Sequence, residues 1–247
     1  QIGDGGPADG TASADRLTPV FIRRNLFRSL ATGGDHACGL NTTGVAYCWG
    51  RNDKGQLGDG TTANRSTPTT VNVSAIPVVV PTPTVEKAAF TSLAAGAYHT
   101  CGLTAAGTAY CWGANSSGEL GDGTITNRAS PVAVTGGKSF TSIVAGARHT
   151  CGLTSAGAAY CWGFNAYGQI GDGTAGGGDA QGNGSHTADR LSPVAVGGGK
   201  TFASLAAGGY NTCGLTSAGV AYCWGNNYFG QIGDGTTGTA LGDDSAN

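Results

Sequence analysis

The sequence predicts an all-β fold made of four repeated units, and three observations carry the prediction. The string Tyr-Cys-Trp-Gly occurs four times, with its cysteine at 48, 111, 161 and 223. These intervals of 63, 50 and 62 residues define a unit of about 50 residues with insertions in two linkers. Every unit breaks into short apolar runs bounded by turn residues, and no stretch holds a 3.6-residue period long enough for a helix. All eight cysteines fall in pairs ten residues apart.

Within the second unit, residues 91–95 read as a short strand ended by Gly96. Residues 99–104 and 108–112 are two more, joined by Ala105-Ala106-Gly107. A three-residue loop ending in Gly suits a type I turn followed by a left-handed residue. A fourth strand comes from apolar residues after a proline, at 131–134, 193–196 and Pro19-Val20-Phe21-Ile22. Proline is tolerated at a strand's first residue or on an edge. Four short strands per 50 residues is the pattern of a β-propeller blade. The units are read over 17–60, 66–123, 130–173 and 191–235 of one repeat domain spanning 1–247, with 1–16 and 236–247 as inter-blade linkers.

The hairpin register places Thr104 opposite Thr108 and Leu103 opposite Ala109, so Cys101 lands opposite Cys111. Facing Cβ atoms lie ~4.5–5.5 Å apart, slightly long for a disulfide, and strand twist closes the gap. The same pairing joins Cys38 with Cys48, Cys151 with Cys161 and Cys213 with Cys223. Buried free thiols are the alternative. Zinc is disfavoured, because C-x9-C is not a ligand spacing and each unit offers a single nearby histidine. Disulfides imply an oxidising compartment, hence an extracellular or cell-surface protein.

Composition narrows the partners. Charged residues make up 11% of the chain, against about a quarter in an average domain. With a net charge of −2, nothing argues for nucleic acid or an anionic membrane. No apolar run approaches the ~20 residues of a membrane span. The 46 glycines show no G-X-Y period and 39% of residues are hydrophobic, so collagen and wholesale disorder are both excluded.

Taken together, Ala94-Ala95-Gly96, His99-Thr100, Tyr110-Cys111-Trp112-Gly113 and the run from Asn115 through Gly118 to Leu120-Gly121 resemble the blade motifs of the regulator of chromosome condensation repeat family. The resemblance covers nearly the whole chain. It implies a propeller, usually of seven blades, so four units form an open arc or part of a larger ring or array. It also implies a binding platform. Members serve in nucleotide exchange on a small GTPase with chromatin docking, and a secreted bacterial relative inhibits β-lactamases. Here the paired cysteines resemble a secreted, bacterial-type branch, and the lack of a basic patch argues against the nuclear role. Gln-Ile-Gly-Asp-Gly at 1–5 repeats 169–173, as though the chain opened in the tail of a preceding unit. A segment of a longer array, or a subunit whose ends meet a neighbour's, is the expectation.

Candidate chemistry recurs with the units. Asp59, Asp122, Asp172 and Asp234 sit in Gly-Asp-Gly loops, where an aspartate between glycines caps a tight turn. A calcium reading would draw on Asp172, Asp179, Asn183 and Asp189 in the longest linker, which lacks both EF-hand and nonapeptide spacing. His36, His99 and His149 recur where the fourth unit has Asn211, which fits a repeated hydrogen bond inside each blade better than a catalytic base. Trp49, Trp112, Trp162 and Trp224 are read as inter-blade packing. The non-repeated loops carry Arg51, Asp53 and Lys54, then Phe164 and Tyr167, then Tyr228 and Phe229, and these are the candidate binding residues. The apolar insertion 71–85 reads as an arm for a neighbour's sheet edge. Sequons occur at Asn41, Asn64, Asn72, Asn115 and Asn183.

Nucleophile-elbow, P-loop, dinucleotide and HExxH signatures are missing, so no enzymatic activity and no cofactor are expected. The reading is a non-enzymatic extracellular propeller that binds protein, other copies of itself included, or builds a surface assembly such as a filament. The alternative is a soluble binder or inhibitor of one protein, such as a secreted enzyme. A glycan-binding module ranks third.

Overall fold

The computed structural model describes residues 18, 20–22, 26–76, 90–176 and 186–237. Fifteen strands among them form four antiparallel sheets. The first is β1 (Phe27–Thr32), β2 (His36–Asn41), β3 (Ala46–Gly50) and β4 (Arg65–Thr70). The second is β5 (Phe90–Ala95), β6 (His99–Thr104), β7 (Ala109–Gly113) and β8 (Arg128–Ala133). The third is β9 (Ser142–Ala145), β10 (His149–Leu153), β11 (Ala159–Gly163) and β12 (Arg190–Ala195). The fourth has three strands among the described residues: β13 (Ser204–Ala207), β14 (Asn211–Leu215) and β15 (Ala221–Gly225). Residues 238–247, which follow it, lie outside the described residues.

Each sheet is a meander in chain order, as short connections between neighbouring antiparallel strands dictate. The central hairpin keeps one register throughout, with Leu103 opposite Ala109 and Cys101 opposite Cys111. Gly107 closes its loop at φ +77°, a conformation that penalises a Cβ.

The outer strands differ from the expectation. They start three residues before the proline, at Arg65, Arg128 and Arg190, and the register shifts between the paired cysteine and the glycine after it. Pro68, Pro131 and Pro193 therefore sit inside the strand, within the irregular stretch of its edge, where no ladder hydrogen bond is lost. Each outer strand pairs with the Tyr-Cys-Trp-Gly strand before it, so sheets and sequence units are offset by one strand. Val20, Phe21 and Ile22 form no strand, and Phe21 is exposed. Among the described residues no sheet precedes β1 to receive them, and Pro19 lies outside those residues.

The sheets stack in chain order and bury their core between neighbours. Leu40, Cys48 and Leu57 of the first sheet pack against Phe90 and Trp112 of the second. Leu103, Cys111 and Leu120 of the second meet Phe140, Ile143 and Trp162 of the third. Ile170 of the third meets Leu205 and Trp224 of the fourth. Val71, Val73 and Ile76 are buried in the first of these clusters, which overturns the arm reading for that part of the insertion: its apolar side chains fill the core between the first two sheets of this chain. Residues 77–85 lie outside the described residues.

Candidate functional site

A single device joins the blades, and it starts from a loop. The segment after each Tyr-Cys-Trp-Gly strand doubles back because a buried asparagine holds it. Asn115 Nδ2 donates to Asp122 Oδ1 at 3.0 Å and to the carbonyls of Thr124 and Thr126, while its Oδ1 accepts from the Leu120 N–H at 2.9 Å. Asn52 and Asn165 repeat the arrangement. Such a bonded, buried amide has no free hydrogen-bonding group for a glycan, so the sequon at Asn115 is structural. The fold-back sets Gly58, Gly121 and Gly171, all at positive φ, against the indole of the next blade. A Cβ on them would come within 2.7, 2.8 and 2.6 Å of Trp112, Trp162 and Trp224 Nε1.

The carbonyl two residues before each of these glycines is then an acceptor for the next blade. Trp112 Nε1 and Thr100 Oγ1 both donate to the Gln56 carbonyl at 3.0 Å. Trp162 and Thr150 donate to Glu119 O, and Trp224 and Thr212 to Gln169 O. His36 Nε2 lies 2.8 Å from Thr100 Oγ1, His99 Nε2 2.9 Å from Thr150, and His149 Nε2 2.9 Å from Thr212. Because the threonine spends its proton on the carbonyl, the histidine must be the donor. The imidazole is therefore the neutral Nε2–H tautomer, and its bare Nδ1 is unpartnered in all three. Burial lowers these imidazoles to about 4 for His36, about 3 for His99 and about 4 for His149. The histidine bond thus runs between blades, correcting the expectation of one inside each blade. The reason is that β2, β6 and β10 face the following sheet.

All four cysteine pairs are disulfides, spanning the central hairpins as the register requires. The Gly-Asp-Gly aspartates are committed to turns. Asp122 Oδ1 accepts from Thr124 N and Oγ1, and Oδ2 from Arg128. Burial pushes its carboxyl up, but the bonds from Thr124 and Arg128 outweigh burial and hold it below the usual range. Asp59 and Asp172 are bound in the same way by Arg65 and Arg190. Asp234 bonds Thr236 and Asn227. Asp189 receives the Asn165 N–H and lies beside His186. Asp179 and Asn183 lie outside the described residues. Among the described residues no three His, Cys, Asp or Glu side chains gather as metal ligands.

The candidate loop residues divide sharply. Arg51 is half-exposed, paired with Asp53 at 2.8 Å and Asp35 at 3.2 Å, and its guanidinium lies 5.3 Å from the Tyr98 ring of the next blade. Lys54 is exposed, 3.9 Å from Asp53. Phe164 and Tyr167 are buried instead, edge-on to one another and to Tyr210 of the fourth sheet. They join blades and do not face solvent. Tyr228 and Phe229, stacked edge to face at 4.7 Å, are exposed beside an open cleft of about 280 Å³ that Tyr210, Asn211, Asn226 and Gln231 help line.

One constellation was not foreseen. Ser117 Oγ lies 3.3 Å from His186 Nδ1, and Asp189 Oδ2 is 2.6 Å from the same nitrogen. A nucleophile–base–acid relay needs the two partners on opposite ring nitrogens. Here the histidine cross-links the long linker to the second blade, where Arg148 also donates to Ser117 at 2.8 Å. No helix among the described residues is long and apolar enough to cross a membrane.

The comparisons agree with this geometry. Two models described as the Regulator of chromosome condensation (RCC1) repeat match the chain, one at 43–103 and 106–153 and the other at 27–56, 90–119, 140–169 and 202–231. The chain is 33% identical to the Ultraviolet-B receptor UVR8 of Arabidopsis thaliana over 238 residues, 94% of this chain and 49% of the receptor. It is 36% identical to the Protein RCC2 homolog of Danio rerio over 100 residues, 40% of this chain and 18% of that one. Among solved structures, human WBSCR16 superposes with a TM-score of 0.73 at 19% identity, covering 91% of this chain and 54% of that one. Yeast RCC1 (Prp20), solved bound to Kap60, gives 0.66 at 23% identity over 85% of this chain and 46% of its own. The chain thus spans about half the length of UVR8 and of these solved propellers. Together the two repeat models match all four Tyr-Cys-Trp-Gly units, so the chain belongs to the regulator of chromosome condensation repeat family.

Proposed function

We propose that this chain is a non-enzymatic, extracellular protein-binding propeller module that builds assemblies with other protein blades, copies of itself included. The observation that carries this reading is the outward face of the fourth sheet. Leu215, Val220, Tyr228 and Phe229 are exposed there, at a face that the first three sheets cover with the next blade. Apolar side chains exposed on one side of a sheet mark a binding surface or an aggregation liability, and a repeat unit whose outward side meets no following unit leaves them uncovered. Four disulfides in a Gly-rich, low-charge chain support an oxidising extracellular setting. Tyr and Phe beside a polar rim are the side chains that anchor protein contacts.

Sedimentation velocity over a hundredfold concentration range, with negative-stain microscopy of the same samples, tests the reading. Concentration-dependent dimers, rings or filaments are expected. A monodisperse 24.3 kDa particle at every concentration would remove self-assembly and favour the alternative, a soluble binder of a single foreign protein.

A further inference from the structure

Resting on the extracellular reading, we infer that the first blade carries asparagine-linked sugars at Asn41, Asn64 and Asn72, while the matching sequence at Asn115 stays bare. Each of the four is followed two residues later by a serine or threonine, as Asn41-Thr42-Thr43, Asn64-Arg65-Ser66, Asn72-Val73-Ser74 and Asn115-Ser116-Ser117. That is the acceptor pattern for the modification. A fifth match, at Asn183, lies outside the described residues. The structure separates the four by what their amide nitrogens do.

At the first three the fold uses only the side-chain oxygen. Asn64 Oδ1 accepts the Asn52 N–H at 2.7 Å. In the third blade Asp189 does the same for the Asn165 N–H, and an aspartate has no amide nitrogen to offer. Asn41 Oδ1 accepts from Thr43 N, Thr43 Oγ1 and Val45 N at 3.0, 2.9 and 2.8 Å. Thr104 and Thr154 close the corresponding hairpin turns without an amide. Asn72 Oδ1 accepts from Ser74 N at 3.1 Å. The backbone bond from Asn72 to Gly58 is repeated by Thr135 to Gly121 and by Gly197 to Gly171, again without an amide side chain. Asn64 and Asn72 are exposed and Asn41 is half-buried. Among the described residues nothing bonds Nδ2 of these three. A sugar in place of one hydrogen there breaks no bond of the fold.

Asn115 is the reverse case. Its nitrogen donates to Asp122 Oδ1 and to two carbonyls, at a site with no solvent exposure. Asn52, Asn165 and Asn227 stand at the same position of the other units. A sugar would take one of those hydrogens and a space already filled, and a chain so modified could not close the loop that packs on Trp162.

In the transfer, Nδ2 bonds to the anomeric carbon of an oligosaccharide carried on a lipid diphosphate. The bond from that carbon to the diphosphate oxygen breaks, the lipid diphosphate leaves with the electron pair, and the amide gives up one proton. The sugars fall at both ends of the first sheet. Asn64 precedes Arg65, which pairs with Gly50, whereas Asn41 and Asn72 flank the opposite end beside Ala46. None of the three is on the fourth sheet, so its exposed apolar side stays open to protein contacts.

The test uses protein from the cells that make it, separated into external and internal fractions. Digestion with peptide-N-glycosidase in heavy-oxygen water turns each sugar-bearing asparagine into a labelled aspartate, which peptide mass spectrometry locates. Label at Asn41, Asn64 and Asn72, and none at Asn115, is expected. In Asn41→Asp, Asn64→Asp and Asn72→Asp chains the intact mass should fall by one glycan each. Circular dichroism should not change, because the aspartate oxygen keeps the turn bond. External protein without label at these three, or with label at Asn115, would overturn the assignment and leave the extracellular reading standing. Internal protein with free thiols would overturn both.

Discussion

The hairpins of the third and fourth sheets are nearly the same sequence, Cys-Gly-Leu-Thr-Ser-Ala-Gly followed by Ala-Tyr-Cys-Trp-Gly, yet they occupy different environments. Leu153 is 4% exposed and Leu215 is 43%. The sulfurs of Cys151 and Cys161 are sealed, while Cys213 and Cys223 are half-buried. The difference is the neighbour. A blade of this family cannot hide its outward face alone, and its burial is supplied by the unit that follows. The apolar pattern of one repeat is therefore half of an interface, and the fourth sheet displays the uncovered half.

Acid should break the inner interfaces most strongly. His36, His99 and His149 are folded as neutral donors, with pKa values lowered by burial to about 4, about 3 and about 4. Their unfolded value is ~6.5. A lowered folded pKa means that the unfolded chain binds more protons below 6.5. Stability is thus full above that pH and falls progressively down to pH 3–4, by about 3 kcal/mol per histidine at the limit. Denaturant titrations between pH 7 and pH 4 should show this loss. H99N, which copies Asn211, should flatten its share of the slope while costing stability at pH 7. A pH-independent midpoint would mean that the rings are solvated.

The tryptophans come next. Trp162→Ala removes a fully buried indole and its bond to the Glu119 carbonyl, and should cost about 3–5 kcal/mol in urea denaturation. Trp224→Ala removes the same bond to Gln169 from a half-exposed site, and should cost roughly half as much in dilute solution. Equal costs would mean that the fourth sheet is covered.

The central hairpins were legible in the sequence because their information is local. A three-residue loop ending in Gly107 fixes which residues face each other, and the pairing of Cys101 with Cys111 follows by counting. The inter-blade device was not legible, because its members lie 31 to 64 residues apart. The alignment shows three histidines and one asparagine, and the change from Thr100 to Ala37 sits beside them, but nothing in one repeat says that a histidine meets the next unit's threonine. Phe164 and Tyr167 misled for the same reason. An aromatic in a loop reads as exposed until Tyr210, on another sheet, is known to cover it. The proline strands erred differently: the bulge moves the strand start back to an arginine, whose partner is an aspartate six to eighteen residues earlier.

The disulfides give a graded version of the same contrast. Under limiting reductant, followed by alkylation and peptide mass spectrometry, Cys213–Cys223 should open first, because a thiolate can reach its half-buried sulfurs. The three sealed bridges should open only with unfolding. Loss of any one bridge should lower stability by about 2–3 kcal/mol, since each closes a short loop. A uniform reduction rate would place the fourth hairpin in the same cover as the rest.

The smallest effect sits at the turns. Asp122 is buried on one side and faces Arg128 at 2.9 Å on the other, and the arginine is partly open to solvent. Solvent therefore screens the ion pair, and D122N should cost only about 1 kcal/mol at pH 7, with the deficit shrinking in 1 M salt. The asparagine can still accept from Thr124, so the turn itself should survive. At Asp234 the counterpart of that arginine is missing from the described residues, and the carboxylate holds Thr236 and Asn227 alone. D234N should then be nearly silent and insensitive to salt. If the two variants instead behave alike, the ion pair at Asp122 contributes nothing, and the threonine and asparagine bonds by themselves set the turn.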